Sequence, residues 1–317
     1  MTNESLAGYA NLSLYSAMAV FTIAMVCHAV YLAALLPARD RLRAGAVDRE
    51  LVGAGAPVPV EAPARPELSS RAAKAAGIAS TTTWLGGFLL LMSVVLRGVA
   101  VHRWPLGNMF EFAVMGSMFT VLAYSVWSTR RDLRWLGLFI TGPVLLVLGM
   151  AVAVWYTEAS ELMPSLRSYW LVIHVTVATL ATAVFTIGAA LSVVYLLKDA
   201  FERSGRASIL DRFPETPAIE RTAYSLHIVA FPLWTFTLIA GAIWARQAWA
   251  SYWNWDPKEV WTFVIWVVYA AYLHSRATSG ISRQTVSYIA LAGYACIIVN
   301  FAVVNVFFVG QHSYSGL

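Results

Sequence analysis

Charge is scarce in this chain of 317 residues: only 12% are Asp, Glu, Lys or Arg, and 59% are hydrophobic. Soluble domains carry about 25% charged residues, and a mean hydropathy of +0.64 excludes that class. Cysteine is scarcer still. Cys27 and Cys296 both lie inside apolar runs, and no C-x-x-C occurs, which excludes a disulfide framework, a zinc ribbon and a dithiol redox motif. The first apolar run has no basic segment before it and no cleavage site after it, and Glu4 precedes it. A removable signal peptide is therefore not expected, and the run should remain as a membrane span.

What the chain has instead is length of apolar sequence. Eight stretches reach the roughly 18 residues needed to cross a bilayer; they lie near 13–36, 78–98, 108–128, 135–155, 169–197, 222–245, 258–275 and 285–309. The fold class expected is all-α, a polytopic membrane bundle of about eight transmembrane helices. Residues 37–77 hold Pro57, Pro59, Pro63 and Pro66 among Ala, Gly and Arg, and read as a flexible linker between a first helix (1–36) and a seven-helix core (78–317).

Basic residues mark the cytoplasmic side. With the N-terminus placed outside, seventeen of the twenty-two Lys and Arg fall in inner segments, and Arg97, Arg103, Arg167, Arg246 and Lys258 remain outside. Both termini are then expected to be extracytoplasmic in a cell membrane, with the 37–77 linker cytoplasmic. The net charge of +5 reports topology, and calls for a lipid environment and no nucleic-acid partner.

One loop stands apart. Between Trp244 and Trp261 there are five tryptophans in eighteen residues, ending Trp253-Asn-Trp-Asp-Pro-Lys-Glu-Val-Trp261. Tryptophan suits a membrane–water boundary, being flat and apolar with one N–H. The density here exceeds an aromatic belt and forms a shelf for a flat aromatic ligand, with Arg246 and Lys258 placed to meet carboxylates. Asp256-Pro257-Lys258-Glu259 is at the same time a helix start: an N-cap, a first-turn proline and a capping-box glutamate.

This loop resembles the tryptophan-rich WWD signature of haem-handling proteins, and specifically the CcsA/ResC component (in actinobacteria, CcsB) of System II cytochrome c biogenesis. Agreement extends along most of the chain after residue 78, including Pro105, Asn108 and Glu111 in a P-L-x-N-x-x-E segment. Ala245 and Ala250 depart from it, standing where glycine often occurs. The resemblance implies export of haem b across the membrane and its presentation at the extracytoplasmic loop for attachment to the C-x-x-C-H of an apocytochrome c. This chain has no C-x-x-C-H, so the haem would be cargo. A ResB-type membrane partner and a thiol-reducing thioredoxin-like protein are also implied, with this chain a membrane subunit of a cytochrome c synthase.

Trp249, Trp253, Trp255 and Asp256 are the expected haem face, with Arg246, Arg97 and Arg103 to hold propionates. By resemblance, His174 and His312 are the external axial ligands. His274, at the other membrane face, resembles the transmembrane histidine of a haem entry site, its opposite ligand coming from the partner or from His227 within the chain. The competing readings are local: His274 as a favourable charge at a helix C-terminus, His28 bonded to a neighbouring helix, His102 solvated in a loop, His312 in a fraying tail. Two other functions remain open. A b-type electron-transfer subunit would pair His227 with His274 on facing helices, and a solute transporter would break its helices near Pro232 and Gly142-Pro143.

Overall fold

The computed structural model describes residues 3–34, 70–160, 167–205 and 208–312, and among these every regular element is helical. The helices are α1 (Glu4–Ala34), α2 (Ser70–Ala100), α3 (Met109–Arg130), α4 (Gly137–Ala153, entered through a 3-10 turn, Arg134–Leu136), α5 (Tyr169–Arg203), α6 (Thr216–Trp249), α7 (Pro257–Ala277) and α8 (Arg283–Phe307). Each expected span coincides with one of them. Seven are long and apolar enough to cross a membrane; the eighth, α7, carries Lys258, Glu259, His274 and Arg276 at its ends.

The boundary at residue 78 moves. Residues 70–77, expected as the end of the 37–77 linker, already form the first turns of α2. Alanine is the best helix former, and Ala72, Ala75 and Ala76 pack into one cluster with Tyr31 and Leu32 of α1. Residues 35–69 lie outside the described residues, as do Glu161 and Arg206.

Contacts fix which helix ends lie together. Asn3 N–H donates to Ala100 O, Arg97 donates to Thr157 O, Ser168 Oγ to Gln247 Oε1, and Gln311 N–H to Asp256. The start of α1, the α2–α3, α4–α5 and α6–α7 loops and the tail after α8 therefore share one end of the bundle. At the other end Glu220 of α6 bonds Arg276 of α7 and Arg283 of α8, and Lys198 donates to Leu210 O.

Pro143 and Pro232 sit inside unbroken helices, so the helix breaks a transporter reading would require are not at either position. The irregularity lies in α8, where Val299–Val304 is π-helical. Such turns displace carbonyls from the α ladder and recur at functional sites. His28 bonds Thr83 of α2 through Nε2 at 3.3 Å, the local reading of that residue. His102 is exposed in its loop.

Candidate functional site

The α6–α7 loop is shaped by its two ends. Ala250 closes α6 in the left-handed conformation (φ 60°), a C-terminal cap that glycine usually supplies. Asp256 opens α7 with both halves of a capping box: its side chain accepts at the first turn, and Glu259 reaches back to the Asp256 N–H at 3.2 Å. Glu259 Oε2 also accepts from Asn254 N–H at 2.8 Å, so the loop is tied to the helix it precedes.

The tail after α8 returns to this cap. Gln311 N–H donates to Asp256 Oδ1 at 2.6 Å, His312 Nδ1 to Asp256 Oδ2 at 2.8 Å, and Asn254 Nδ2 to Gln311 Oε1 at 3.1 Å. Gly310 lies so close that a Cβ there would stand 2.2 Å from Asp256 Oδ1. The tail is fastened to the cap through Gln311 and His312.

His174 projects from the second turn of α5. Its Nδ1 lies 2.9 Å from the Thr237 carbonyl of α6, and its ring rests on Gly241, where a Cβ would come within 2.7 Å of Cε1. Trp244 joins the two histidines: its ring centroid is 6.0 Å from that of His174, nearly parallel, and 5.7 Å from that of His312. Trp249 stands edge-on to His312 at 4.6 Å.

Both imidazoles line one cavity of about 470 Å³ between α3, α4, α5, α6, α7 and α8, inside the roughly 300–1,000 Å³ of small-molecule sites. At 1.5 Å per residue it follows α5 for about 18 Å from His174 to Thr186. Its wall is mostly apolar and aromatic, with Phe112, Trp155, Trp234, Trp253 and Phe301 among the lining residues. The polar groups are few, chiefly Lys258, Glu259, Asn300 and a set of threonines.

A carbonyl and an ionised carboxylate can only accept hydrogen bonds. Both histidines therefore donate through Nδ1, and each carries its lone pair on Nε2. Metal-binding histidines are held in this way, the second nitrogen on a carboxylate or a carbonyl. Asp256 is ionised: burial opposes it, but the hydrogen bonds from His312 and from the Gln311 and Lys258 N–H groups hold its carboxyl below the ordinary range.

The other expected residues divide. Trp253 lines the cavity, Trp249 backs His312, and Trp255 is 77% exposed at φ 58°. Arg97 and Arg103 do not line it. Both guanidinium groups are engaged by Glu111, which accepts from Arg97 Nε at 2.9 Å and from both Arg103 terminal nitrogens at 2.9 and 3.0 Å. Arg246 is exposed and caps its own helix through the Ala250 carbonyl at 2.9 Å.

His274 is exposed in the last turn of α7, at the far end of the bundle. His227 is fully buried against Phe185, Tyr269 and Tyr272, and neither of its nitrogens has a partner among the described residues. Tyr272 faces His227 and His274 is two residues further on, about 200° round the helix. The pairing required of an electron-transfer subunit is not formed. Trp244, Trp155 and Trp234 are the wall residues that the sequence did not single out for this site, Trp244 being legible only as part of the tryptophan count. Lys258, expected beside the tryptophans to meet carboxylates, does line the cavity.

A membrane helix bundle with an aromatic cavity and two fixed imidazoles at one end defines a class, and residues 103–312 match the family described as Cytochrome C assembly protein. Curated relatives agree. The chain is 33% identical over 236 residues to a cytochrome c biogenesis protein CcsA of Chlamydomonas reinhardtii, covering 73% of this chain and 66% of that one. It is 32% identical over 259 residues to the CcsA of Prochlorococcus marinus (strain MIT 9303), covering 73% and 81%. Among solved structures, the cytochrome c haem lyase CcmF superposes with a TM-score of 0.61 at 16% identity. That match covers 95% of this chain and 47% of CcmF, so the chain spans about half of its length and the likeness is one of fold.

The chain belongs to the CcsA family of cytochrome c biogenesis proteins, and it is a multi-pass membrane protein.

Proposed function

We propose that the cavity receives haem b as cargo, with His174 and His312 as its axial pair, and presents it for attachment to apocytochrome c. One observation carries this reading: two imidazoles that line one aromatic cavity both hold Nδ1–H on an acceptor, which leaves Nε2 as the metal-binding nitrogen. Two imidazoles supply only two ligands. A metal bound there must bring the rest with it, as a porphyrin does. The apolar, tryptophan-lined wall suits the macrocycle.

The distribution of Lys and Arg supports placing this end of the bundle outside the cell membrane. His274, exposed at the other face with no hydrogen bond to its ring among the described residues, suits haem entry with a second ligand from a ResB-type partner. Among the described residues no cysteine lines the cavity. The chain's own contribution is to hold the haem edge where two apocytochrome thiols, kept reduced by a thioredoxin-like protein, add across the vinyl groups. Each addition forms a C–S bond and moves the thiol hydrogen to the other vinyl carbon.

The test is haem content of the purified chain, alone and with its partner, by pyridine haemochrome. His174→Ala and His312→Ala are expected to lose haem and cytochrome maturation, with added imidazole restoring part of both. Wild-type haem spectra in both variants would overturn the assignment.

A further inference from the structure

We propose that Lys258 is the anchor for a carboxylate of the cargo, receiving a propionate at the cavity wall in place of Arg97, Arg103 and Arg246. This rests on the haem reading above and names the group that orients the ligand within it.

Among the described residues Lys258 is the one lysine or arginine that lines the cavity. Its Nζ donates to the Asn300 carbonyl at 2.8 Å, a carbonyl offered by the π-helical turn of α8. An ammonium has three N–H donors, and one is engaged. No ion pair is formed by Lys258 among the described residues.

Neither neighbouring carboxylate pairs with the ammonium, although Glu259 Oε1 is buried without a hydrogen-bond partner among the described residues. Asp256 accepts from His312, Gln311 N–H and Lys258 N–H, and Glu259 Oε2 accepts from Asn254 N–H and Asp256 N–H. Local helix preference does not explain the residue either, because a cation in the first turn opposes the helix dipole. A charge held at an apolar wall with no carboxylate in ion-pair contact is costly, and it is complementary to an anion brought by the ligand.

The experiment titrates the purified full chain with iron protoporphyrin IX and with its dimethyl ester, which keeps the iron and the ring and removes both carboxylates. The wild type is expected to prefer the free acid by roughly tenfold or more. Lys258→Met should lose that preference while binding the ester as the wild type does, which also shows that the variant is folded. Lys258→Arg should keep the preference. An equal preference in wild type and Lys258→Met would overturn the anchor and leave the haem site standing. Failure of the wild type to bind either compound would overturn the haem reading and this proposal with it.

Discussion

His312 Nδ1 lies 2.8 Å from Asp256 Oδ2, so the residue that starts α7 also holds the imidazole of the tail. One carboxylate does two tasks, and substitutions can part them. Asparagine caps a helix about as well as aspartate, whereas alanine costs about 1 kcal/mol. Asp256→Asn is expected to keep α7 and the thermal midpoint near wild type while loosening His312, seen as lost haem and faster proteolysis of the tail. Asp256→Ala should lose both. Equal behaviour of the two variants would show that the cap alone matters.

The same pair sets a pH dependence. The Asp256 carboxyl is held below its ordinary value against the opposing effect of burial. A group depressed in the folded state contributes stability above its unfolded value, near 4 for aspartate, and loses it as pH falls through the folded value. The tail should therefore stay fastened between about pH 5 and 8 and release below about pH 4. Amide exchange at Gln311 against pH measures this, and Asp256→Asn should show no such acid step.

Ala250 lies in the left-handed region at φ 60°, where a side chain costs roughly 1–2 kcal/mol and glycine none. This is one of the two alanines that depart from the glycines usual in the family. Ala250→Gly is expected to raise stability by up to about 1 kcal/mol, since greater freedom of the unfolded chain offsets part of the relief. Thermal unfolding in detergent checks it; a lower midpoint would show that the alanine is accommodated without strain.

Arg97 and Arg103 read in the sequence as haem-propionate holders, and in the structure both flank Glu111. Their side chains are 5% and 11% exposed and that of Glu111 is fully buried. Removing one partner of a buried pair costs roughly 3–5 kcal/mol. Glu111→Gln is expected to destabilise the whole bundle, more than Arg103→Ala does, without shifting the spectrum of any haem retained. A shifted spectrum with unchanged stability would return these residues to the site.

The eight helices were legible because apolar length carries their signal, and the capping box because Asp256-Pro-Lys-Glu259 is local chemistry. His174 and His312 came from resemblance, since 138 positions separate them and no periodicity joins them. Three features could not be read from the chain. The cavity needs six helices to close around it. The engagement of Arg97 and Arg103 by Glu111 needs the α2–α3 loop to fold back, and the isolation of Lys258 depends on which carboxylates the tail covers.

Two glycines test whether His174 must be placed as well as present. A Cβ on Gly241 would stand 2.7 Å from His174 Cε1, and one on Gly188 would stand 2.6 Å from His227 Cε1. Each overpacks an imidazole, half-buried for His174 and fully buried for His227, at a cost of roughly 1–3 kcal/mol, offset by up to about 1 kcal/mol of helix propensity. Stability alone would hardly tell Gly241→Ala from Gly188→Ala. Haem should, because His174 lines the cavity and His227 does not. Gly241→Ala is expected to lower haem content and shift the Soret band, while Gly188→Ala at similar stability leaves both unchanged. The reverse ranking would move the ligand role from the outer end of α5 to the buried imidazole of α6.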